Sequence, residues 1–170
     1  MSDDMLFTDG LPVEDANSGY RGANAAAAAG ISYRQLDYWA RTGLVQPTVQ
    51  NAQGSGSQRL YSFRDILVLK LVKRLLDTGV SLQQIRNAVE RLRETGVEDL
   101  AKITLMSDGA SVYLCTSQDE VIDLLGQGQG VFGIAVGSVW REVESSLTEL
   151  GPEQLTSVDE LAAKRARRSA

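Results

Sequence analysis

Histidine is absent from these 170 residues, and cysteine occurs once, at position 115. Without imidazole the commonest general base and metal ligand is missing. A lone thiol cannot supply the cluster of soft donors that a metal centre needs. A single cysteine also excludes an internal disulfide, which fits a reducing cytoplasm. No apolar run approaches the length of a membrane span. Met1–Ser18 holds five acidic residues and no basic one, so it lacks both the basic start and the apolar run of a secretory signal. The carboxylates fall at helix starts and on exposed faces, with no nucleophile–base pair among them, which argues against catalysis. The expectation is a cytoplasmic protein that is not an enzyme and holds no cofactor.

What the chain does have is concentrated in Tyr20–Leu44, YRGANAAAAAGISYRQLDYWARTGL. Alanine has the highest helix propensity, so Ala23–Ala29 reads as a short helix, which Gly30 closes in the left-handed conformation. Ser32 can cap a second helix, and Gly43 closes that one. Two short helices around a Gly-containing turn make a helix-turn-helix. At about 100° per residue, Arg34, Tyr38 and Arg41 share one stripe of the second helix, while Leu36, Trp39 and Ala40 lie opposite. The apolar stripe can pack on the first helix. The other stripe offers guanidinium forks and a phenol, groups that suit phosphate oxygens or the edge of guanine.

The net charge of −5 hides an asymmetry. Gly19–Thr95 holds 11 Lys/Arg against 5 Asp/Glu, whereas Gly96–Gly151 holds 2 against 9. A basic module fused to an acidic one is expected when only one part meets a polyanion. Gln46–Gln58, QPTVQNAQGSGSQ, is a loop or a hairpin with a long flexible tip. In Arg59-Leu60-Tyr61 an alternating pattern resumes, with Arg and Tyr on one side. Ser62 and Asp65 open a third helix that Gly79 stops, and Ser81 opens a fourth whose apolar stripe is Leu82, Ile85, Val89 and Leu92.

Residues 20–95 resemble the winged-helix DNA-binding domain of MerR-type transcription regulators. The matching residues are Tyr20, Ala26, Gly30, Ile31, Ser32, Arg34, Leu36, Tyr38, Trp39, Gly43, Leu44, Arg59 and Tyr61, followed by Leu76, Gly79, Ser81, Leu82 and Ile85. The resemblance implies that the second helix enters the major groove while the wing Arg and Tyr grip flanking phosphates. DNA contacts are then expected from Arg34, Tyr38, Arg59 and Tyr61, with Ser32 and Tyr33 beside them and Arg21 and Arg41 as weaker phosphate contacts. For Tyr61 the alternative is a packed strand residue; for Arg64, Lys70, Lys73 and Arg74, a solvated helix face. Asp37 departs from the pattern, standing where family members commonly carry an Arg. Its carboxylate would repel phosphate unless Arg34 or Arg41 paired with it. The long helix that serves most of the family as a dimer handle is also missing, since Val97–Ile103 is short.

Beyond it, Thr104–Thr116 reads as a hairpin around Asp108-Gly109, and Ser117 with Glu120 opens a helix through Leu125. Gly126–Gly130 is a glycine-rich loop without the Lys of a phosphate cradle. Val131–Val136 reads as a strand, and Val139, Val143, Leu147 and Leu150 stripe a last helix. Cys115, on an alternating apolar strand, reads as a buried inert thiol. Tyr113 and Trp140 are the candidates for an effector pocket, with core packing as the plainer reading.

The expected fold is mainly α with small β: a disordered acidic tail over 1–19, a winged helix-turn-helix over 20–96, a small α+β (ββαβα) dimerisation or effector domain over 97–151, and a polar tail over 152–170. The basic end of that tail, Lys164–Arg168, reads as solvated, with an auxiliary phosphate contact as the alternative. The expected function is a homodimeric, sequence-specific, nucleoid-associated transcription regulator on a palindromic promoter site, not metal-responsive and without a membrane partner. RNA polymerase is a candidate second partner. The alternatives are a low-specificity nucleoid or protein-interaction module, and a small enzyme with a degenerate DNA-binding domain.

Overall fold

The computed structural model describes residues 18–51, 58–126, 132–150 and 155–157. The expected acidic tail, wing tip, glycine-rich loop and basic tail lie wholly or largely outside them. By packing, the described residues fall into two compact units, one running up to Ile66 and resuming at Glu144, the other Leu67–Val143.

The first unit begins with strand β1 (Ser18–Arg21), then helices α1 (Gly22–Ala29) and α2 (Tyr33–Arg41), strand β2 (Leu60–Tyr61) and the start of α3 (Phe63–Asp77). Gly30 ends α1 at φ 74°, a conformation that costs other residues a clash at Cβ. Ser32 then caps α2 reciprocally, its hydroxyl accepting from Gln35 N–H at 3.1 Å while the Gln35 side chain accepts from Ser32 N–H at 3.2 Å. Leu36, Trp39 and Ala40 are buried, as are Ala25, Ala26, Ala28 and Ala29 of α1. The small alanine face lets the two helices approach closely. Gln50 and Leu60 exchange backbone hydrogen bonds of 3.2 and 2.8 Å, forming the stem of the wing. β1 pairs antiparallel with β2, placing Tyr20 opposite Tyr61, and on its other edge with β6 (Leu155–Ser157). That last strand falls within the stretch read from sequence as a polar tail.

One buried carboxylate fastens the wing's entry to α3. Asp65 accepts from Thr48 N–H at 2.8 Å, Thr48 Oγ1 at 2.8 Å and Ser62 N–H at 2.9 Å, and its own N–H donates to Ser62 Oγ at 3.0 Å.

In the second unit α4 (Leu82–Glu94) is followed by one turn of helix, α5 (Val97–Leu100), then β3 (Thr104–Ser107), β4 (Val112–Cys115), α6 (Gln118–Gly126), β5 (Phe132–Ala135) and the start of α7 (Val136–Leu150). The division between the units lies inside α3 and inside α7. β3 is the centre of an antiparallel sheet ordered β4-β3-β5, with Thr104 opposite both Cys115 and Ala135. The Asp108 carboxylate shapes the β3–β4 turn by accepting from Ala110 N–H at 2.9 Å and Ser111 N–H at 2.8 Å. α7 starts against the α5–β3 turn: Val136 N–H donates to the Ile103 carbonyl at 3.0 Å. A Cβ on Gly137 would lie only 2.6 Å from the Ala101 carbonyl oxygen, so no larger residue fits there. Glu142 of α7 pairs with Arg74 at 2.6 Å and Lys70 at 3.4 Å on α3. Burial alone would raise its pKa, but those two cations outweigh it and hold the carboxyl below its ordinary range. Among the described residues, no helix is long and apolar enough to cross a membrane.

Removing the Asp65 carboxylate leaves the Thr48 and Ser62 donors without their acceptor in a part-buried setting. Asp65→Ala should therefore lower stability by about 2–3 kcal/mol. Urea unfolding followed by Trp39 fluorescence in a Trp140→Phe background measures it, and a loss below about 0.5 kcal/mol would contradict the assigned role.

Candidate nucleic-acid interface

The outer face of α2 is polar and open. Arg34 and Arg41 are exposed, and Tyr33 and Tyr38 keep 59% and 58% of their surface. Leu36 and Trp39 anchor the opposite face, so the exposed stripe sits on a helix that cannot roll. The cap leaves Ser32 exposed at the start of that stripe, its hydroxyl accepting from Gln35.

Asp37 lies on this helix between the exposed stripe and the wing. Its Oδ2 takes Arg41 Nε at 2.9 Å, one helical turn on, and its Oδ1 takes Arg59 Nη1 at 2.7 Å, from the exit of the wing. Of the two partners expected from sequence, Arg41 pairs with it and Arg34 does not. The Arg59 bond was not visible in the sequence, because 22 positions separate the pair. The Arg59 side chain is 16% exposed and that of Asp37 is 34% exposed. Hydrogen bonding from Arg59, followed by the charges of both arginines, holds the Asp37 carboxyl below the ordinary carboxylate range. Arg41 is engaged through Nε, so the far end of its guanidinium still faces solvent.

Tyr61 is not at this surface. It is wholly buried in β2, and its hydroxyl has no hydrogen-bond partner among the described residues. Burial drives its phenol pKa well upward. The expectation that Tyr61 grips a phosphate is therefore corrected: with both residues of this two-residue strand buried, it packs. Arg21, at the end of β1, is half-buried with its Nε shielded from solvent.

In the second unit, Tyr113 lies on the edge strand β4 and Trp140 is half-buried on α7. Two clefts open there, one of about 400 Å³ between Arg91, Glu94, Asp99, Lys102 and Leu114, the other of about 430 Å³ between Thr104, Cys115, Val121 and Ile122. Neither Tyr113 nor Trp140 lines either cleft. Cys115 is buried, and its thiol pKa is pushed up by burial and then by the charge of Glu120.

The lowered Asp37 pKa fixes the sign of a pH effect. A carboxyl depressed in the folded state contributes stability that is present above its unfolded value and lost as pH falls through its folded one. The stability difference between the chain and Asp37→Asn should hold constant from about pH 5 to 8 and shrink below about pH 4. A difference that grew on acidification in urea melts would contradict the assigned pairing.

A profile of the family described as MerR HTH family regulatory protein matches residues 20–92. An HTH-type transcriptional regulator of Mycobacterium tuberculosis (strain H37Rv) is 60% identical over 158 residues, covering 93% of this chain and 70% of that protein. The HTH-type transcriptional regulator HmrR of Sinorhizobium medicae is 30% identical over 83 residues, 48% of this chain and 54% of its own. Heavy metal-dependent transcription regulator 1 of Rhizobium meliloti is 30% identical over 73 residues, 43% of this chain and 48% of its own. The mycobacterial likeness thus runs through both units, while the other two stop at roughly half the chain. The capped α2 and the wing stem lie inside the matched residues, and the chain belongs to the MerR-type helix-turn-helix transcriptional regulators.

Proposed function

We propose that the chain is a homodimeric, sequence-specific regulator that reads a palindromic promoter site, with the outer face of α2 in the major groove. The observation that carries this reading is the exposed row of Arg34, Tyr38 and Arg41 on a helix locked by Leu36 and Trp39. Arg34, without an ion pair among the described residues, is the base-reading group, since a free guanidinium fork matches the guanine edge. Tyr33, Tyr38 and Ser32 flank it, and Arg41, Arg59 and Arg21 serve the phosphate backbone. RNA polymerase is the further partner of a regulator placed on a promoter.

The effector side is not metal-responsive. The chain offers one thiol and no imidazole, and Cys115 is buried with a raised pKa. The heavy metal-dependent relative matches less than half of this chain.

Dimerisation is assigned to residues 97–151. One-turn α5 stands where most of the family has its coiled-coil handle, whereas α6 exposes Ile122 and Leu125 beside the edge strand β4. A small module gains stability by covering such a face with its twin, and two linked half-site readers gain affinity by effective concentration.

Full-length protein titrated against a duplex selected from a random pool, and against random duplex, tests the DNA reading. Affinity should fall along log[salt] with a slope of about −0.9 per phosphate engaged. Arg34→Ala should cost about 1–3 kcal/mol on the selected duplex and little on random DNA. A flat salt response, or equal losses on both duplexes, would contradict the assignment. Zn²⁺, Cu⁺ or Hg²⁺ in the same assay should leave affinity unchanged, and a shift abolished by Cys115→Ser would overturn the metal-independent reading. In sedimentation velocity the chain should run as a dimer and Ile122→Glu/Leu125→Glu as a folded monomer; a variant that remained dimeric would move the interface elsewhere.

A further inference from the structure

Asp37 is the one acidic residue of α2, and it spends both carboxylate oxygens on arginines that the DNA reading assigns to phosphate. We infer that Asp37 is a specificity-determining positioning residue: it neutralises part of the charge of Arg41 and Arg59 so that random DNA is held weakly, and it fixes Arg59 against α2 for the site that fits. This inference rests on the DNA-binding reading above.

The two effects follow from geometry. Attraction to arbitrary duplex is a matter of counting cations and released counterions, and a carboxylate within 3 Å of two guanidinium groups subtracts from that count. On the fitting site the balance differs. There the wing must seat in one register relative to the recognition helix, and Arg59 is already held at 2.7 Å from Asp37. Conformational freedom that would otherwise be lost on binding is already given up in the free protein. Removing the carboxylate therefore raises affinity where only charge matters and forfeits organisation where register matters.

Asp37 itself reads no base in this arrangement. Each oxygen already accepts from an arginine, so the carboxylate is spent on holding Arg41 and Arg59 rather than on a cytosine amino group.

The test compares the full chain with Asp37→Asn and Asp37→Glu by fluorescence anisotropy, on random duplex and on a duplex selected from a random pool by the unaltered chain. For Asp37→Asn the expected results are random-DNA affinity up at least about threefold, a salt slope on random DNA steeper by about 1, and a selected-to-random ratio down at least about threefold. Asp37→Glu, which keeps the charge, should retain the weak random binding. An Asp37→Asn chain with unchanged salt slope and unchanged ratio overturns the inference. So does a ratio that rises, or an Asp37→Glu chain that binds random DNA as tightly as Asp37→Asn. If Asp37→Asn does not fold, Asp37→Glu decides alone: random binding no tighter than that of the unaltered chain supports the inference, and tighter binding overturns it. An unaltered chain that binds neither duplex at any salt brings down the DNA-binding reading itself and this inference with it, an outcome distinct from all of these.

Discussion

A carboxylate has two oxygens, and Asp37 gives each to a different stretch of chain: one to Arg41 on its own helix, the other to Arg59 where the wing returns to the sheet. Helix α2 is short, and the wing stem is pinned by few backbone hydrogen bonds. Leu36 and Trp39 hold the helix to the core, and the Asp37 carboxylate ties the wing's exit to that fixed helix. With it, the residues assigned to bases and those assigned to phosphates are held in one register. The buried Asp65 does comparable work at the wing's other end, fastening Thr48 to the start of α3. Two aspartates thus frame the wing from opposite sides, one half-exposed and one buried.

This arrangement also explains how an acidic chain can serve a polyanion. The net charge of −5 is spread unevenly, with the basic residues gathered before Gly96. Even there the surface is tempered, since Asp37 faces Arg41 and Arg59, and Lys73 pairs with Asp77 at 2.8 Å. Arg34 is left as the exposed cation of α2 without an ion pair among the described residues. On the proposed DNA reading, such a surface would favour a few placed contacts over general stickiness.

Much of the first unit was legible because its signals are local. Helix propensity at Ala23–Ala29, the left-handed glycine at position 30, the Ser32 cap and the 3.6-residue period of Leu36, Trp39 and Ala40 all act within a few residues. The turn at Asp108-Gly109 is of the same kind. What could not be read depends on contacts between distant segments. The Asp37–Arg59 pair spans 22 positions, and the antiparallel pairing of β6 with β1 joins the two ends of the described chain. Tyr61 misled for a related reason: alternation places it on the side of Arg59, but only the fold shows that both residues of β2 are buried. The division inside α3 leaves no mark in sequence either, because the apolar stripe runs unbroken along that helix.

The most direct measurement is a double-mutant cycle on Asp37 and Arg59 in the full chain, using Asp37→Asn, Arg59→Gln and both together. Urea unfolding would be followed through Trp39 in a Trp140→Phe background. If the carboxylate links helix to wing, either single substitution breaks the same contact, and the second change should cost far less once the first is in place. Losses that simply add would contradict the link, and with it the picture of a helix and wing held in one register.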